Sequence, residues 1–317
     1  MGAVNRESGG ATRPEIEGSP SNCEEELRLA KATLAAYETG WPPGHFYSPI
    51  PCIEAIQQRE KEIFEILPEL PGIDLNEAGQ LALLEQLAPY LSDGDLALER
   101  RDDSRFYLNN PNYVGEGPVY RAILRHLRPD RVTEVGSGFS TALLLDTAER
   151  DFETPPAITC IEPDATLLRS VMKTGDSERV RLIETPLQSV DRALFTELEA
   201  GDLLFIDSTH VSKIDSDVNH LIFGILPLLQ SGVYIHIHDI YYPFEYPKEW
   251  ILQGRAWNEA YLLRAFLMYN ESFRIVLFND YIHRFHMDRV RALCPDYRYA
   301  PGSSLWLEKV DGRVATS

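Results

Sequence analysis

The sequence predicts an α/β protein with a doubly wound, seven-stranded and mostly parallel sheet, preceded by an N-terminal helical extension. From about residue 117, short apolar runs alternate with helical patterns, as in a chain of strand–crossover–strand units. The strand-like run DLLFID at 202–207 is apolar almost throughout. Such runs are typical of parallel strands that are buried on both faces.

Composition and helical spacing predict the organisation of the first hundred residues. Residues 1–22 are rich in Gly, Ser, Pro and Glu, and we expect them to be disordered. Three amphipathic patterns follow, EEELRLAKATLAAYE, EAIQQREKEIFEIL and NEAGQLALLEQLAPYL, and the loop GHFYSPIP separates the first two. We therefore expect a helical lead-in or lid over 23–100 and one α/β domain over 101–317.

Seven strands and three helices are predicted within that domain. The predicted helices are TALLLDTAER, VNHLIFGILPLL and NEAYLLRAFLMY. The last two strands lie far apart in the sequence, which leaves room for one antiparallel edge strand. The predicted strands are 131–136, 157–163, 179–186, 202–207, 232–239, 273–279 and 303–310.

Charge and apolar length exclude several classes of function. The 30 Lys and Arg against 49 Asp and Glu give a net charge of −19, which argues against binding to a nucleic-acid backbone. No apolar run approaches the roughly 18 residues of a membrane-spanning helix, and the N-terminus lacks a secretory core. The four scattered cysteines fit neither a disulfide framework nor a zinc site. We expect a cytoplasmic protein with a small-molecule partner; its oligomeric state is open, a homodimer included.

Glycine or acidic residues close four of the predicted strands, at Gly136, Glu162, Asp207 and Asp239. Ligands of such sheets bind beyond the carboxyl ends of the strands. In EVGSGFST, Gly136 and Gly138 remove side chains where a ligand could approach the backbone. Thr141 stands where a dinucleotide fingerprint has its third small residue, which disfavours a nicotinamide cofactor.

Several long motifs resemble the class I S-adenosylmethionine-dependent methyltransferases, and most closely a little-characterised bacterial branch: EVGSGFST, FIDSTHVSKIDSDVNH, HIHDIYYPFEYPKEW and GRAWNEAYLLRAF. The resemblance covers residues 40 to about 285. It implies a Rossmann-like methyltransferase fold, S-adenosyl-L-methionine as cofactor, and methyl transfer as the reaction. It also implies that Glu162 holds the ribose and that Gln188 contacts the adenine. The cofactor-binding residues expected in full are Glu134, Gly136, Ser137, Gly138, Ser140, Glu162, Gln188 and Asp207.

A cluster of carboxylates and imidazoles is expected at the ends of the fourth and fifth strands. FIDSTHVSK contains Asp207 and His210, and HIHD contains His238 and Asp239. Such a cluster can hold a divalent cation or supply a general base. Resemblance to metal-assisted O-methyltransferases implies Asp207 and Asp239 as metal ligands and His210 as the base. Where those enzymes have an acidic residue this chain has His238, which suits Mn²⁺, Fe²⁺ or Zn²⁺ better than Mg²⁺; a metal-free site is the alternative.

The hypothesis on catalysis is therefore base-assisted methyl transfer. His210 would be the catalytic base, assisted by Asp207 and Asp239, and a metal would be held by Asp207, His238 and Asp239. His236, deeper in the strand, is expected to be a core histidine.

The aromatic segment IYYPFEYPKEW is expected to wall the acceptor pocket. Two roles are considered for Arg255: its guanidinium pairs either with an anionic group of the substrate or with Glu259 in a salt bridge. The leading hypothesis is O-methylation of a small metabolite, natural product or glycan unit. The alternatives are a metal-dependent hydrolase or hydroxylase on the same fold and a non-catalytic cofactor-binding protein. The expected substrate contacts are Tyr47, Tyr242, Arg255 and Trp257.

Overall fold

A computed structural model describes residues 24–29, 31, 41–91, 96–110, 116–295 and 302–311. The chain divides into two compact units, residues 1–58 and 59–317. The tail expected to be disordered, 1–22, lies outside the described residues. The expected boundary near residue 100, between a helical lead-in and the α/β domain, stays a prediction.

The first unit contains a helical segment at 24–29 and an aromatic loop that begins at Trp41. The indole of Trp41 stacks on the His45 ring with 4.2 Å between centroids. The Gly44 amide donates to the Ile50 carbonyl at 3.0 Å, which closes the loop before helix α1, Ile53–Gln58. The loop is therefore organised by its own ring and backbone contacts.

The second unit contains the predicted seven-stranded sheet. Its order is β3-β2-β1-β4-β5-β7-β6, and all pairings are parallel except those of β7. The antiparallel strand lies between β5 and β6, one position in from the edge where we expected it. The bounds are β1 Arg131–Val135, β2 Ala157–Ile161, β3 Val180–Ile183, β4 Leu203–Ile206, β5 Tyr234–Ile237, β6 Phe273–Phe278 and β7 Leu305–Lys309.

Helices connect these strands, and several of them differ from the prediction. The pattern EAIQQREKEIFEIL forms two short helices, α1 and α2. The segment 217–228 begins as α8 and continues as π-helix Leu221–Ile225 and 3₁₀ helix Leu226–Leu228, because Pro227 has no amide hydrogen for an α-helix. Within the described ranges, six further helices, at 117–127, 166–171, 193–196, 248–252, 279–285 and 287–293, were not predicted. The remaining bounds are α2 Glu60–Ile63, α3 Glu77–Leu91, α4 Gly117–Leu127, α5 Phe139–Asp151, α6 Thr166–Val171, α7 Ala193–Thr196, α8 Asp217–His220, α9 Lys248–Leu252, α10 Glu259–Leu267, α11 Asn279–Phe285 and α12 Met287–Leu293.

The centre of the sheet is buried, and its ladder brings the polar strand ends to one edge. Every residue of β4 is buried, as continuous apolar strands with both faces covered should be. The amide of Asp207 donates to Val135 at 2.8 Å, and that of His238 donates to Ile206 at 2.9 Å. Within the part of the chain that is described, no helix has the length and apolar character needed to cross a membrane.

Candidate active site

The turn after β1 requires glycine because two strands end against each other. Gly136 has φ +84°, and a Cβ atom built on it would lie 1.7 Å from the Asp207 carbonyl oxygen. No side chain fits there. Glycine is therefore required at 136 because the backbone of this turn packs directly against the backbone that follows β4. At Gly138 a Cβ atom would lie 2.8 Å from the Leu167 side chain.

Glu162 extends from the end of β2 to this turn. One carboxylate oxygen accepts the Ser137 amide at 3.1 Å, and the other accepts the Asp164 amide at 2.9 Å. These two bonds fix the carboxylate beside the glycine turn. Each oxygen keeps a further lone pair with which it can accept from a ligand hydroxyl.

A cavity of about 360 Å³ opens at this edge of the sheet. Its size falls in the range of about 300–1,000 Å³ that small-molecule and cofactor sites occupy. Four of the expected cofactor residues line it: Gly136, Glu162, Gln188 and Asp207. The Gln188 side-chain amide donates to the Asp215 carbonyl at 2.5 Å and so joins two walls of the cavity. Lys213 and Asp217, which sequence reasoning did not single out, line it as well.

The other expected cofactor residues belong to β1 and to the start of α5. Glu134 is fully buried, and burial raises its pKa to about 7 against hydrogen bonds from Thr141 and Cys160. Among the described residues no donor reaches its second oxygen, Oε1. Ser137, Gly138 and Ser140 form the turn that precedes α5 and its first residues. A polar cofactor therefore fits the residues at this edge. The cavity is large enough for it, and Glu162 lines that cavity. The unsatisfied carboxylate oxygen of Glu134 belongs to β1, the strand that ends at the glycine turn.

His210 lies between two sets of carboxylates. Its Nδ1 donates to Glu259 Oε2 at 2.9 Å, and both side chains are buried. Its Nε2 faces Asp207 Oδ1 at 3.4 Å and Asp239 Oδ2 at 3.9 Å. Against the effect of burial, hydrogen bonds to Asp207 and Glu259 raise the pKa of His210 to about 10. Charges on His238 and His210 in turn hold the pKa of Asp207 at about 2, although burial opposes this.

Backbone contacts hold His210 in an uncommon conformation. It has φ +58°, and its carbonyl accepts the amides of Asn258 and Glu259, at 3.1 and 3.2 Å, at the start of α10. The Asn258 side chain accepts the Ser212 amide at 2.6 Å. The motifs FIDSTHVSK and GRAWNE therefore meet. Sequence reasoning missed Glu259 as the partner of His210, because an acid in the first turn of a helix is common for electrostatic reasons alone.

A second, larger cavity of about 700 Å³ is walled by the aromatic segment. Tyr242, expected to contact substrate, lines it, although the side chain is 1% exposed and its hydroxyl is bonded to the Leu67 carbonyl. Ser303 also lines this cavity, and its hydroxyl donates to Asp239 Oδ1 at 3.1 Å. Asp207 lines the smaller cavity. The row of neighbouring side chains Asp207, His210, Asp239 and Ser303 therefore connects the smaller cavity with the larger one.

The remaining expected substrate contacts occupy different positions. The Trp257 ring packs 4.5 Å from the His210 ring. The exposed Arg255 guanidinium lies 4.3 Å from the Trp250 ring and 5.2 Å from that of Trp257, while the Glu259 carboxylate bonds His210. The salt bridge considered between Arg255 and Glu259 is therefore not formed. Tyr47 belongs to the first unit and is 72% exposed, so its substrate contact stays a prediction.

The two histidines of β5 face inward. His238 Nδ1 lies 2.8 Å from Glu116 Oε2, and against burial this carboxylate raises the pKa of His238. Its Nε2 lies 3.7 Å from Asp239 Oδ1. Among the described residues, Glu116, His236 and His238 bring three possible ligand atoms within 4.8 Å of one another, a criterion that Asp207, His238 and Asp239 do not meet. A metal held by Asp207, His238 and Asp239 stays a prediction.

Known proteins resemble the chain in the region that contains this site. Residues 133–240 match a family described as a methyltransferase domain. An uncharacterised protein of Archaeoglobus fulgidus is 37% identical over 166 residues, which are 50% of this chain and 74% of that protein.

Solved structures are similar at lower identity. The S-adenosylhomocysteine-bound methyltransferase PaMTH1 of Podospora anserina is 15% identical, with a TM-score of 0.41 over 95% of this chain and 100% of that one. The O-methyltransferase of Bacillus cereus is 14% identical, with a TM-score of 0.40 over 82% of this chain and 100% of that one.

The strand order, the glycine turn at the end of β1 and the acid at the end of β2 agree with the match over residues 133–240. The chain belongs to the family of the Archaeoglobus fulgidus protein, and its residues 133–240 are a methyltransferase domain.

Proposed function

We propose that this enzyme methylates a hydroxyl oxygen of a small molecule and that His210 removes the hydroxyl proton. The observation that carries the proposal is the arrangement of His210 between the two cavities. Its Nδ1 is bonded to the buried Glu259 at 2.9 Å, and its Nε2 is directed toward Asp207 and Asp239. A ring held at one nitrogen by a carboxylate, with its other nitrogen directed toward the ligand cavities, is the arrangement of a general base.

The larger cavity supplies the acceptor side of the reaction. Its wall contains four aromatic side chains, Phe64, Tyr241, Tyr242 and Tyr246. Such rings bind an apolar or aromatic body and exclude water from the reacting oxygen. Ser303 and Asp239 lie where this cavity meets His210, so an acceptor hydroxyl in the cavity would find hydrogen-bond partners there.

The smaller cavity supplies the donor side. When bound, S-adenosyl-L-methionine supplies an electrophilic methyl group on a cationic sulfur. Glu162 would accept hydrogen bonds from the ribose hydroxyls, Gly136 would lie beside the methionine part, and Gln188 would contact the adenine. Asp207, which lines this cavity, would lie close to the positive charge. No metal is required for these roles, and a metal held by Asp207, His238 and Asp239 remains the alternative form of the site.

The pKa of His210 indicates which hydroxyls suit the site. At about 10 it leaves the imidazole largely protonated at neutral pH, so His210 can act as a base only where this pKa falls, and an acidic hydroxyl such as that of a phenol needs the least assistance from the base. A cation beside Asp207 would weaken the interaction of that carboxylate with His210. The pKa of His210 would then fall toward working pH. Phenolic hydroxyls are therefore the acceptor class that we favour.

A turnover assay tests the proposal. Purified enzyme would be supplied with S-adenosyl-L-methionine and a panel of phenols, catechols, aliphatic alcohols and amines, and release of S-adenosylhomocysteine would be followed. We expect turnover with phenolic hydroxyls. His210→Asn should lower kcat by about 10² to 10⁴-fold, the usual contribution of a general base.

The controls separate loss of the base from loss of the site. Calorimetry should give His210→Asn the S-adenosylhomocysteine affinity of the wild type. Turnover with amines alone would exclude oxygen as the acceptor atom. Full activity of His210→Asn on a phenol would exclude the base.

A further inference from the structure

The imidazole of His236, on β5, is a buried polar group that lines neither of the two cavities described above. The side chain of His236 is 0% exposed. Its ring stacks on Phe205 with 4.0 Å between centroids and meets the Trp306 ring edge-on at 4.5 Å. Within the described part of the chain, neither ring nitrogen of His236 has a hydrogen-bond partner. An imidazole buried without partners is costly, since its nitrogens lose their hydrogen bonds to water and gain none in the protein.

Glu116 brings a carboxylate to the same place. Its Oε2 lies 2.8 Å from His238 Nδ1, and its Oε1 accepts the Ser303 amide. Gly302 makes room for it, because a Cβ atom there would lie 1.8 Å from Glu116 Cγ. The side chain of Glu116 is therefore built into the interior by the backbone that precedes β7.

The three side chains form a compact ligand set. One donor atom each from Glu116, His236 and His238 lies within 4.8 Å of the others, and all three residues are buried. Two imidazoles and one carboxylate are ligands typical of zinc and of divalent iron, manganese and cobalt, whereas Mg²⁺ prefers oxygen ligands. A metal ion would use a ring nitrogen of His236 and offset the carboxylate charge of Glu116.

We propose that Glu116, His236 and His238 bind one divalent first-row transition-metal ion in the interior of the sheet. This site differs from a metal in the cleft, since it uses neither Asp207 nor Asp239. The proposal does not depend on the acceptor of methyl transfer. The ion would fix the end of β5, which leads directly to Asp239.

Cobalt binding tests the site in the full-length protein. The protein would be stripped with a chelator and titrated with Co²⁺, with visible absorption as the readout and metal analysis for stoichiometry. We expect one Co²⁺ per chain for the wild type and for Asp207→Asn. His236→Phe and Glu116→Gln should bind at least about 10-fold more weakly, because changes even to the residues that support ligands cost about 10- to 100-fold. Circular dichroism would verify that each variant is folded, and S-adenosylhomocysteine affinity would do so for His236→Phe and Glu116→Gln.

X-ray absorption of the wild-type cobalt complex keeps the proposal testable if a variant does not fold. Two imidazole ligands per metal are expected, whereas a site of Asp207, His238 and Asp239 would show one. A wild-type protein without saturable Co²⁺ binding would overturn the proposal. Binding that Asp207→Asn abolishes and His236→Phe preserves would do so as well.

Discussion

Replacing Glu259 by glutamine should separate the imidazole of His210 from the charge of its nearest carboxylate. The substitution keeps the size of the side chain and an oxygen that can accept from Nδ1, but it removes the charge. The two groups lie 2.9 Å apart, and both are buried, so solvent screens their interaction weakly. We expect the pKa of His210 to fall from about 10 toward the 6.5 of an ordinary histidine.

The size of the fall follows from the distance. Two charges centred about 4 Å apart interact by about 4 kcal/mol at an effective dielectric constant of about 20. Since one pKa unit corresponds to about 1.36 kcal/mol, the pKa of His210 should fall by as much as about three units. Asp207 and Asp239 remain on the Nε2 side, at 3.4 and 3.9 Å, and keep the pKa from falling further.

The same change should alter how stability depends on pH. The folded-state pKa of His210 is raised from 6.5 to about 10, so its contribution to stability is complete below pH 6.5. That contribution is lost as the pH rises through about 10. In Glu259→Gln the contribution of His210 to stability should be smaller, and its loss should be complete at lower pH.

Nuclear magnetic resonance of ¹⁵N-labelled histidine side chains measures this pKa without any substrate. The His210 signals would be assigned from the spectrum of His210→Asn. Glu245→Gln is a matched control, because Glu245 bonds the Tyr261 hydroxyl of α10 rather than His210. A wild-type pKa near 6.5, or a pKa in Glu259→Gln within about half a unit of the wild type, would refute the reasoning.

Three further predictions concern the cofactor edge and the interior. Glu162→Ala should weaken S-adenosylhomocysteine binding about 10- to 150-fold in calorimetry, as expected for losing hydrogen bonds to a charged group, whereas exposed Glu184→Ala should not. Gly136→Ala should cost at least about 3 kcal/mol in urea unfolding, since its Cβ atom would lie 1.7 Å from a carbonyl oxygen. Gly175→Ala, with φ +92° and open space, should cost only about 1–2 kcal/mol. Arg105→Met should cost about 3–5 kcal/mol at neutral pH, because it leaves buried carboxylates unpaired.

The sheet was predictable from the sequence because its strands obey one strong rule. Strands covered on both faces are largely apolar, with exceptions such as Glu134 and His236, and each ends where the chain reaches polar surroundings. Runs such as DLLFID therefore marked both the strand and the residue that follows it. The helix predicted over 218–229 was less regular, because an apolar pattern does not show that Pro227 will break the hydrogen bonding.

The partners of the histidines were not predictable in the same way. Glu259 follows His210 by 49 residues, and Glu116 precedes His238 by far more. Each acid stands near the start of a helix, where acids are common for electrostatic reasons. Only the packing of those helices against the sheet decides that these two carboxylates face imidazoles. The acids that close strands were easier to assign, since parallel strands end together.

Backbone strain marks the part of the site that sequence patterns do not reveal. His210 and Asp239 both adopt left-handed conformations, with φ of +58° and +54°. For residues with side chains such conformations cost about 1–3 kcal/mol, and they persist only where surrounding contacts compensate. At His210 the compensation comes from two amides at the start of α10, and at Asp239 it comes from Ser303 before β7. Two separate parts of the chain thus hold His210 and Asp239 in conformations that neither residue would favour alone, as preorganisation of the proposed base and its carboxylate would require.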